Sequence, residues 1–265
     1  MLRLLALLCA LLASCLPAHA KNVCTVVADA HNGNILLRQG DCDTRVTPAS
    51  TFKLALAVMG FDAGVLVDES TPSLPFREGY PDWIAEWRRD ASPARWLKHS
   101  VVWYSQEIAR ALGHDRFQGY ARSFGYGNAD VSGDPGKDNA LVRSWISSSL
   151  KISPLEQIAF LARLLNGTLP VSREAQELTH NIVEAWDAGG WTVHGKTGSA
   201  YPRKADGSFD RERGWSWFVG WAEKGGRALV FARLDQDEKR MPGAGGIRAR
   251  DHFLATFPDL ARSLR

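Results

Sequence analysis

The chain has 265 residues, 45% hydrophobic and 23% charged. This is an ordinary globular balance, with room for one large domain or two intimately packed subdomains. The formal charge of +3 comes without a Lys/Arg stripe, Arg88-Arg89 and Lys239-Arg240 being short surface pairs, so nucleic acid is not an expected partner.

Met1 to Ala20 reads as a secretory leader: Arg3 is the positive n-region, Leu4 to Leu16 is an almost unbroken apolar run, and Ala18-His19-Ala20 is a small-residue cleavage site. The mature chain would begin at Lys21 and run to Arg265 as one domain. The apolar run is too short for a comfortable membrane span, so no transmembrane segment is expected in the mature chain. Leu12-Ala13-Ser14-Cys15 offers a competing lipoprotein-type site, with a lipidated Cys15 at the mature N-terminus. Soluble export to the periplasm is the reading adopted.

Cys9 and Cys15 fall in the leader, which leaves Cys24 and Cys42. Val23–Ala30 and Ile35–Arg38 are β-like, and the Asn32-Gly33 pair between them is a hairpin signal. Folding the chain back at that turn brings Cys24 and Cys42 to within about one residue of facing each other. In an oxidising compartment they should close into a disulfide; two buried thiols are the alternative.

Next comes Pro48-Ala49-Ser50-Thr51-Phe52-Lys53, ahead of the apolar run Leu54 to Met59. If that run is a helix, Ser50 sits in its first turn and Lys53 lies three residues on, on the same face. A hydroxyl beside an amine can act as nucleophile and base if the amine is desolvated enough to be neutral. The spacing alone is weak, since it recurs as Ser148-Ser149-Leu150-Lys151, and its ordinary meaning is a capped helix with a solvated lysine.

The middle of the chain is helical and Trp-rich. Pro81–Arg89 is short and amphipathic, Pro93–Leu112 reads as one helix stopped by Gly113, and Asp115–Phe124 as another. Gly125 to Leu150 is loop-like. Ser153-Pro154-Leu155-Glu156 is a capping box opening a helix that stops at Gly167, and Ser172–Glu184 is a further helix. The end of the chain is β: Trp191–Lys196, the alternating Trp215–Trp221, and Arg227–Leu234, followed by a helix over Ile247–Leu260. The Trp215, Trp217 and Trp221 stripe reads as a core face. Together these make an α+β unit, a roughly five-stranded antiparallel sheet flanked by helices with a helical lobe inserted in sequence.

Four short motifs could complete a site: Ser50-Thr51-Phe52-Lys53, Ser100-Val101-Val102, Tyr126-Gly127-Asn128 and Lys196-Thr197-Gly198. Each is common alone. In this order, across the whole mature chain, they resemble the serine β-lactamase and penicillin-binding protein superfamily. The S-x-V form, the Tyr-Gly-Asn and Trp145 in the following loop are similar to the class D β-lactamases, the oxacillinases. The resemblance implies hydrolysis of small-molecule β-lactams through a Ser50 acyl-enzyme. Ser50 would be the nucleophile, Lys53 the base, and Ser100 the proton relay to the leaving nitrogen. The backbone N–H groups of Ser50 and Ser199 would form the oxyanion hole. Val102, Tyr126, Lys196, Thr197 and Gly198 would shape or hold the substrate, Tyr126 with a structural role preferred to a catalytic one. Arg250 would be a second carboxylate anchor, with Arg248 competing for that place. Lys53 would be N-carboxylated, using carbon dioxide or bicarbonate and supported by Trp145; no other cofactor is expected. Asn128 and Gly127 would set a turn, and Ser149 could reach the base pocket.

The seven histidines show no metal-ligand spacing, so no metal is expected, and His194 reads as a strand residue. Transpeptidases, carboxypeptidases and β-lactam sensor domains share the fold and remain the alternatives. Val102 stands where transpeptidases usually carry Asn, and sensors need membrane helices.

Overall fold

The computed structural model describes residues 20–264; all of the proposed leader but Ala20, with Cys9 and Cys15, lies outside them. Strand β1 (Lys21–Asp29) turns through His31 to Asn34 into β2 (Ile35–Gly40). Asp29 Oδ1 accepts from the His31 and Asn32 amides, which fastens the turn. Cys24 pairs with Gly40 across the hairpin, so Cys42 lies just past its end. The Cys24–Cys42 disulfide is formed, with Cα atoms 5.1 Å apart.

A 3-10 turn over Ala49–Phe52 carries Ser50 and leads into α1 (Lys53–Asp62). Helix α1 is apolar and buried on nearly every face from Lys53 to Phe61, as a helix at the centre of a lobe must be. The stretch expected as one helix from Pro93 to Leu112 is two: α2 (Pro93–His99) and α3 (Val102–Leu112). Ser100 breaks it by adopting the left-handed conformation, φ 55° and ψ 36°. The expected helix at Pro81–Arg89 is only the 3-10 turn Ala85–Trp87. Trp87 there is buried, its indole donating to the His99 carbonyl at 2.8 Å, so tertiary packing rather than helix propensity holds the segment.

Helix α4 (His114–Ser123) and the single turn α5 (Ala140–Arg143) follow. The expected capping box is present at α6 (Pro154–Leu165), with Ser153 and Glu156 exchanging backbone bonds. Helix α7 (Arg173–Asn181) ends short of Glu184, because the chain there turns into an unforeseen strand, β3 (Ala185–Ala188). After β3 come β4 (Trp191–Ala200), β5 (Trp215–Lys224), β6 (Arg227–Gln236) and α8 (Gly245–Ser263).

The antiparallel sheet has six strands in the order β2-β1-β6-β5-β4-β3, one more than the sequence reading. Both faces are covered. Trp217, Val219 and Trp221 point into the helical lobe with α1, α3 and α6, so the Trp stripe is core. Phe218 and Phe231 point the other way, against Phe253 and Phe257 of α8. Strand β3 pairs with β4 only from Trp191 to His194, leaving the outer edge of β4 open from Lys196 onward. No described helix is long and apolar enough to cross a membrane.

Candidate active site

The nucleophile turn packs directly on β4. Gly198 makes this approach possible: a Cβ there would meet the Pro48 carbonyl at 2.9 Å and Thr51 Cγ2 at 3.0 Å. Thr51 locks the turn, its hydroxyl donating to the Pro48 carbonyl at 2.8 Å and accepting from Gln157 at 2.8 Å. The result is a cavity of about 450 Å³ between the helical lobe and the open edge of β4. Ser50, Ser100, Val102, Lys196, Thr197, Gly198, Ser199 and Arg250 all line it. The chain thus brings together three motifs separated by long stretches of sequence.

Lys53 Nζ lies 3.2 Å from Ser50 Oγ. Lys53 is fully buried, and loss of hydration pushes its pKa far below the usual lysine range, with the positive Lys196 adding to the effect. Lys196, 4% exposed, is lowered to about 8 by burial and by Arg250, against the opposing pull of Glu184. Its ammonium makes a short hydrogen bond to Ser100 Oγ and a second, at 3.3 Å, to the Thr197 carbonyl. The left-handed break at Ser100 places the hydroxyl between two helices and opposite β4, where a continuous helix would have turned it elsewhere.

Trp145 is buried and stacks on Phe52, rings 5.6 Å apart and 28° from parallel. Thr47 Oγ1 donates to its carbonyl at 3.0 Å. Its indole Nε1 has no hydrogen-bond partner among the described residues, which is costly for a buried donor.

The two arginines of α8 separate clearly. Arg248 is committed to Asp237 through two bonds of 2.7 and 2.8 Å. Arg250 lines the cavity, its guanidinium 5.3 Å from the centre of the Trp186 ring and beside the Asp251 carboxylate.

Tyr126 does not reach the cavity, which corrects its expected place among the substrate-holding residues. It is fully buried, edge-on to Phe52 at 5.2 Å, and burial pushes its phenol pKa up. Gly127 and Asn128 set the turn as expected. Gly127 has φ 58°, and Asn128 bonds the Ser149 carbonyl and the Lys151 amide, each at 2.9 Å. Ser149 is occupied with the Asp130 carbonyl and the Gly133 amide, and Ser148, the serine of the second Ser-x-x-Lys, donates to Asp134 at 2.7 Å, so that motif belongs to a loop network.

Several cavity residues left no local signal in the sequence. Glu184, 3.8 Å from Lys98, supports the charge on Lys196. Trp87, Ile146, Trp186 and Ile247 form apolar walls, and only the fold identifies them. His194 stacks on Trp221 at 5.1 Å, as a strand residue would. It also converges with His180 and Glu223, one ligand atom of each within 4.8 Å of the others, a grouping that spacing along the chain hides.

The penicillin-binding protein transpeptidase domain model matches residues 23–257. β-Lactamase OXA-9 of Klebsiella pneumoniae is 46% identical over 239 residues, 89% of this chain and 87% of that protein. The crystal structure of the class D β-lactamase OXA-427 superposes with a TM-score of 0.86 at 46% identity, covering 91% of this chain and 99% of the other. The C-terminal domain of the Bacillus licheniformis BlaR penicillin-receptor shares the fold at 24% identity, with a TM-score of 0.76 over 91% of this chain and 90% of that one.

Proposed function

The chain belongs to the class D β-lactamases, and on that premise we propose that it is exported and opens the β-lactam ring of penicillin-type antibiotics through a Ser50 acyl-enzyme. The observation that carries this reading is the buried, deprotonation-prone Lys53 at 3.2 Å from Ser50 Oγ.

In the acylation step Ser50 Oγ attacks the lactam carbonyl carbon as Lys53 takes its proton. The carbonyl oxygen, becoming negative, accepts from the Ser50 and Ser199 amides. The C–N bond then breaks, and Ser100 delivers a proton to the departing nitrogen. Lys196, already bonded to Ser100 Oγ, can replace that proton. Lys196, Thr197 and Arg250 meet the substrate carboxylate, and Val102 packs against the bound ring. Lys53 then gives up to solvent the proton it took in acylation, a water attacks the ester as Lys53 accepts its proton, and Lys53 returns that proton to Ser50 Oγ as the ester C–O bond breaks.

Two features of the chain support a carboxylated Lys53. Burial disfavours the charged amine and so favours the neutral form, which is the form that reacts with carbon dioxide, and the unpaired Trp145 indole offers a buried donor. When present, the carbamate supplies an anionic oxygen as base for both steps, which removes the need for a separate deacylating glutamate. Export rests on the leader-like residues 1–20.

Mass spectrometry of the protein mixed with benzylpenicillin tests the assignment. The adduct is expected on the Ser50 peptide and absent from Ser50→Ala. An adduct that persists in Ser50→Ala would overturn it.

A further inference from the structure

A second cavity, of about 460 Å³, lies next to the Ser50 cavity and shares Trp83, Ile146, Ser199 and Ala244 with it. Four aromatic side chains, Trp83, Tyr201, Phe209 and Trp215, stand among small and polar residues in its walls, and Arg143 and Arg211 open onto it. Each guanidinium sits on a ring: Arg143 is 5.7 Å from the centre of Phe209, and Arg211 is 5.7 Å from that of Tyr201. Among the described residues no carboxylate lies within ion-pair distance of either. The acids nearby are already engaged. Asp237, which also lines this cavity, is bound twice by Arg248. Asp134 is bound by Arg203, Ser148 and Asn139. The cavity therefore holds two cations in excess, over the rings of Phe209 and Tyr201, and adjoins the nucleophile's own cleft.

The direction of β4 says which part of a substrate arrives there. In the proposed reading the substrate carboxylate lies at Lys196 and Thr197 and the lactam carbonyl at the Ser199 amide. The strand continues through Ala200 to Tyr201, and both line the second cavity. At about 3.3 Å per residue, a substituent running along the open edge past Ser199 enters that cavity within two residues. In a β-lactam the group on that side of the carbonyl is the acylamino side chain.

Resting on that reading of the site, we propose that the second cavity is a cationic aromatic subsite selecting β-lactams whose acyl side chain carries an aryl ring and an anionic group. Phe209 and Trp215 take the ring, and Arg143 grips the anion as a planar fork. Arg211, more exposed, adds a weaker attraction. Because this contact is remote from the reacting bond, its energy appears in kcat/KM.

The test compares benzylpenicillin with its α-carboxy analogue, two substrates that differ by one carboxylate. Steady-state kcat/KM is measured for the unmodified enzyme, Arg143→Ala, Arg143→Lys and Arg211→Ala. Arg143→Ala should lower kcat/KM for the carboxylated substrate by about tenfold, the scale of a partly exposed charged hydrogen bond. It should leave benzylpenicillin within about twofold. Arg143→Lys should recover part of the loss by keeping the charge, and Arg211→Ala should cost the carboxylated substrate about threefold. The inference is overturned if the ratio between the two substrates is unchanged in every variant, or if both substrates lose equally. Failure of the unmodified enzyme to turn over either penicillin would instead sink the hydrolase reading beneath it.

Discussion

Lys53 shows how one position can carry both fold and chemistry. It begins a helix that is otherwise apolar, so burial of α1 drags the amine out of water. Desolvation, more than any nearby charge, then holds its pKa down. The sign of the pH effect follows. As pH falls through that lowered value the amine gains a proton, loses its lone pair and can neither deprotonate Ser50 nor hold carbon dioxide. Turnover should therefore fall on the acid side and be partly restored there by added bicarbonate. Trp145→Phe keeps the stack on Phe52 but removes the indole donor. It should raise the bicarbonate needed for half-maximal turnover by about ten- to a hundredfold, the worth of one hydrogen bond to a buried charge. Degassed enzyme titrated with bicarbonate reads this directly. Equal bicarbonate curves for the two proteins would refute the role given to Trp145.

At the scale of elements, two local breaks build the site. Ser100 interrupts what periodicity presents as one helix, and β3 stops early enough to leave the edge of β4 open. Both are decided by packing. Trp87 ties its indole to the His99 carbonyl at the end of α2, and β3 has only four residues, too few for a periodic signal. Helix α8 divides its arginines between an ion pair and the cavity, Arg248 holding Asp237 and Arg250 lining the Ser50 cleft. Arg248→Ala strands the Asp237 carboxylate, which is 8% exposed, and should cost about 1–3 kcal/mol of stability with modest change in kcat/KM. Arg250→Ala should leave the melting temperature nearly unchanged and lower kcat/KM about ten- to a hundredfold. Calorimetry and kinetics on the two variants check the division, and the reverse pattern would mean that the two side chains have exchanged roles.

The whole molecule is a sheet with an apolar layer on each face, the larger layer shared with the helical lobe. The Cys24–Cys42 bridge closes an 18-residue separation at the outer hairpin of that sheet. Loop-closure entropy gives it about 3 kcal/mol. For a protein of this size that corresponds to a loss of roughly 6–12 °C in melting temperature for the Cys24→Ala, Cys42→Ala double variant. Scanning calorimetry measures it. A loss below about 2 °C would mean that the unfolded chain is already restricted around the hairpin.

Much of the candidate site was legible along the chain because its residues sit at element boundaries with short, fixed spacings. Ser50 and Lys53 are one turn apart, Lys196-Thr197-Gly198 is a single stretch of strand, and Gly33, Gly113 and the Ser153 capping box mark stops and starts through local backbone sterics. The α+β class, the core Trp stripe and the disulfide follow from the same short-range physics. Tyr126 shows the limit: its motif was readable, but its burial behind Phe52 depends on which way the Gly127 turn faces. The sixth strand, the break at Ser100, the placing of Arg250 rather than Arg248 at the cavity, the orphaned Trp145 indole and the convergence of His180, His194 and Glu223 were decided only in three dimensions. Each depends on groups far apart in sequence competing for the same small volume, and burial, which sets both the Lys53 pKa and the cost of an unpaired donor, is a property of that volume.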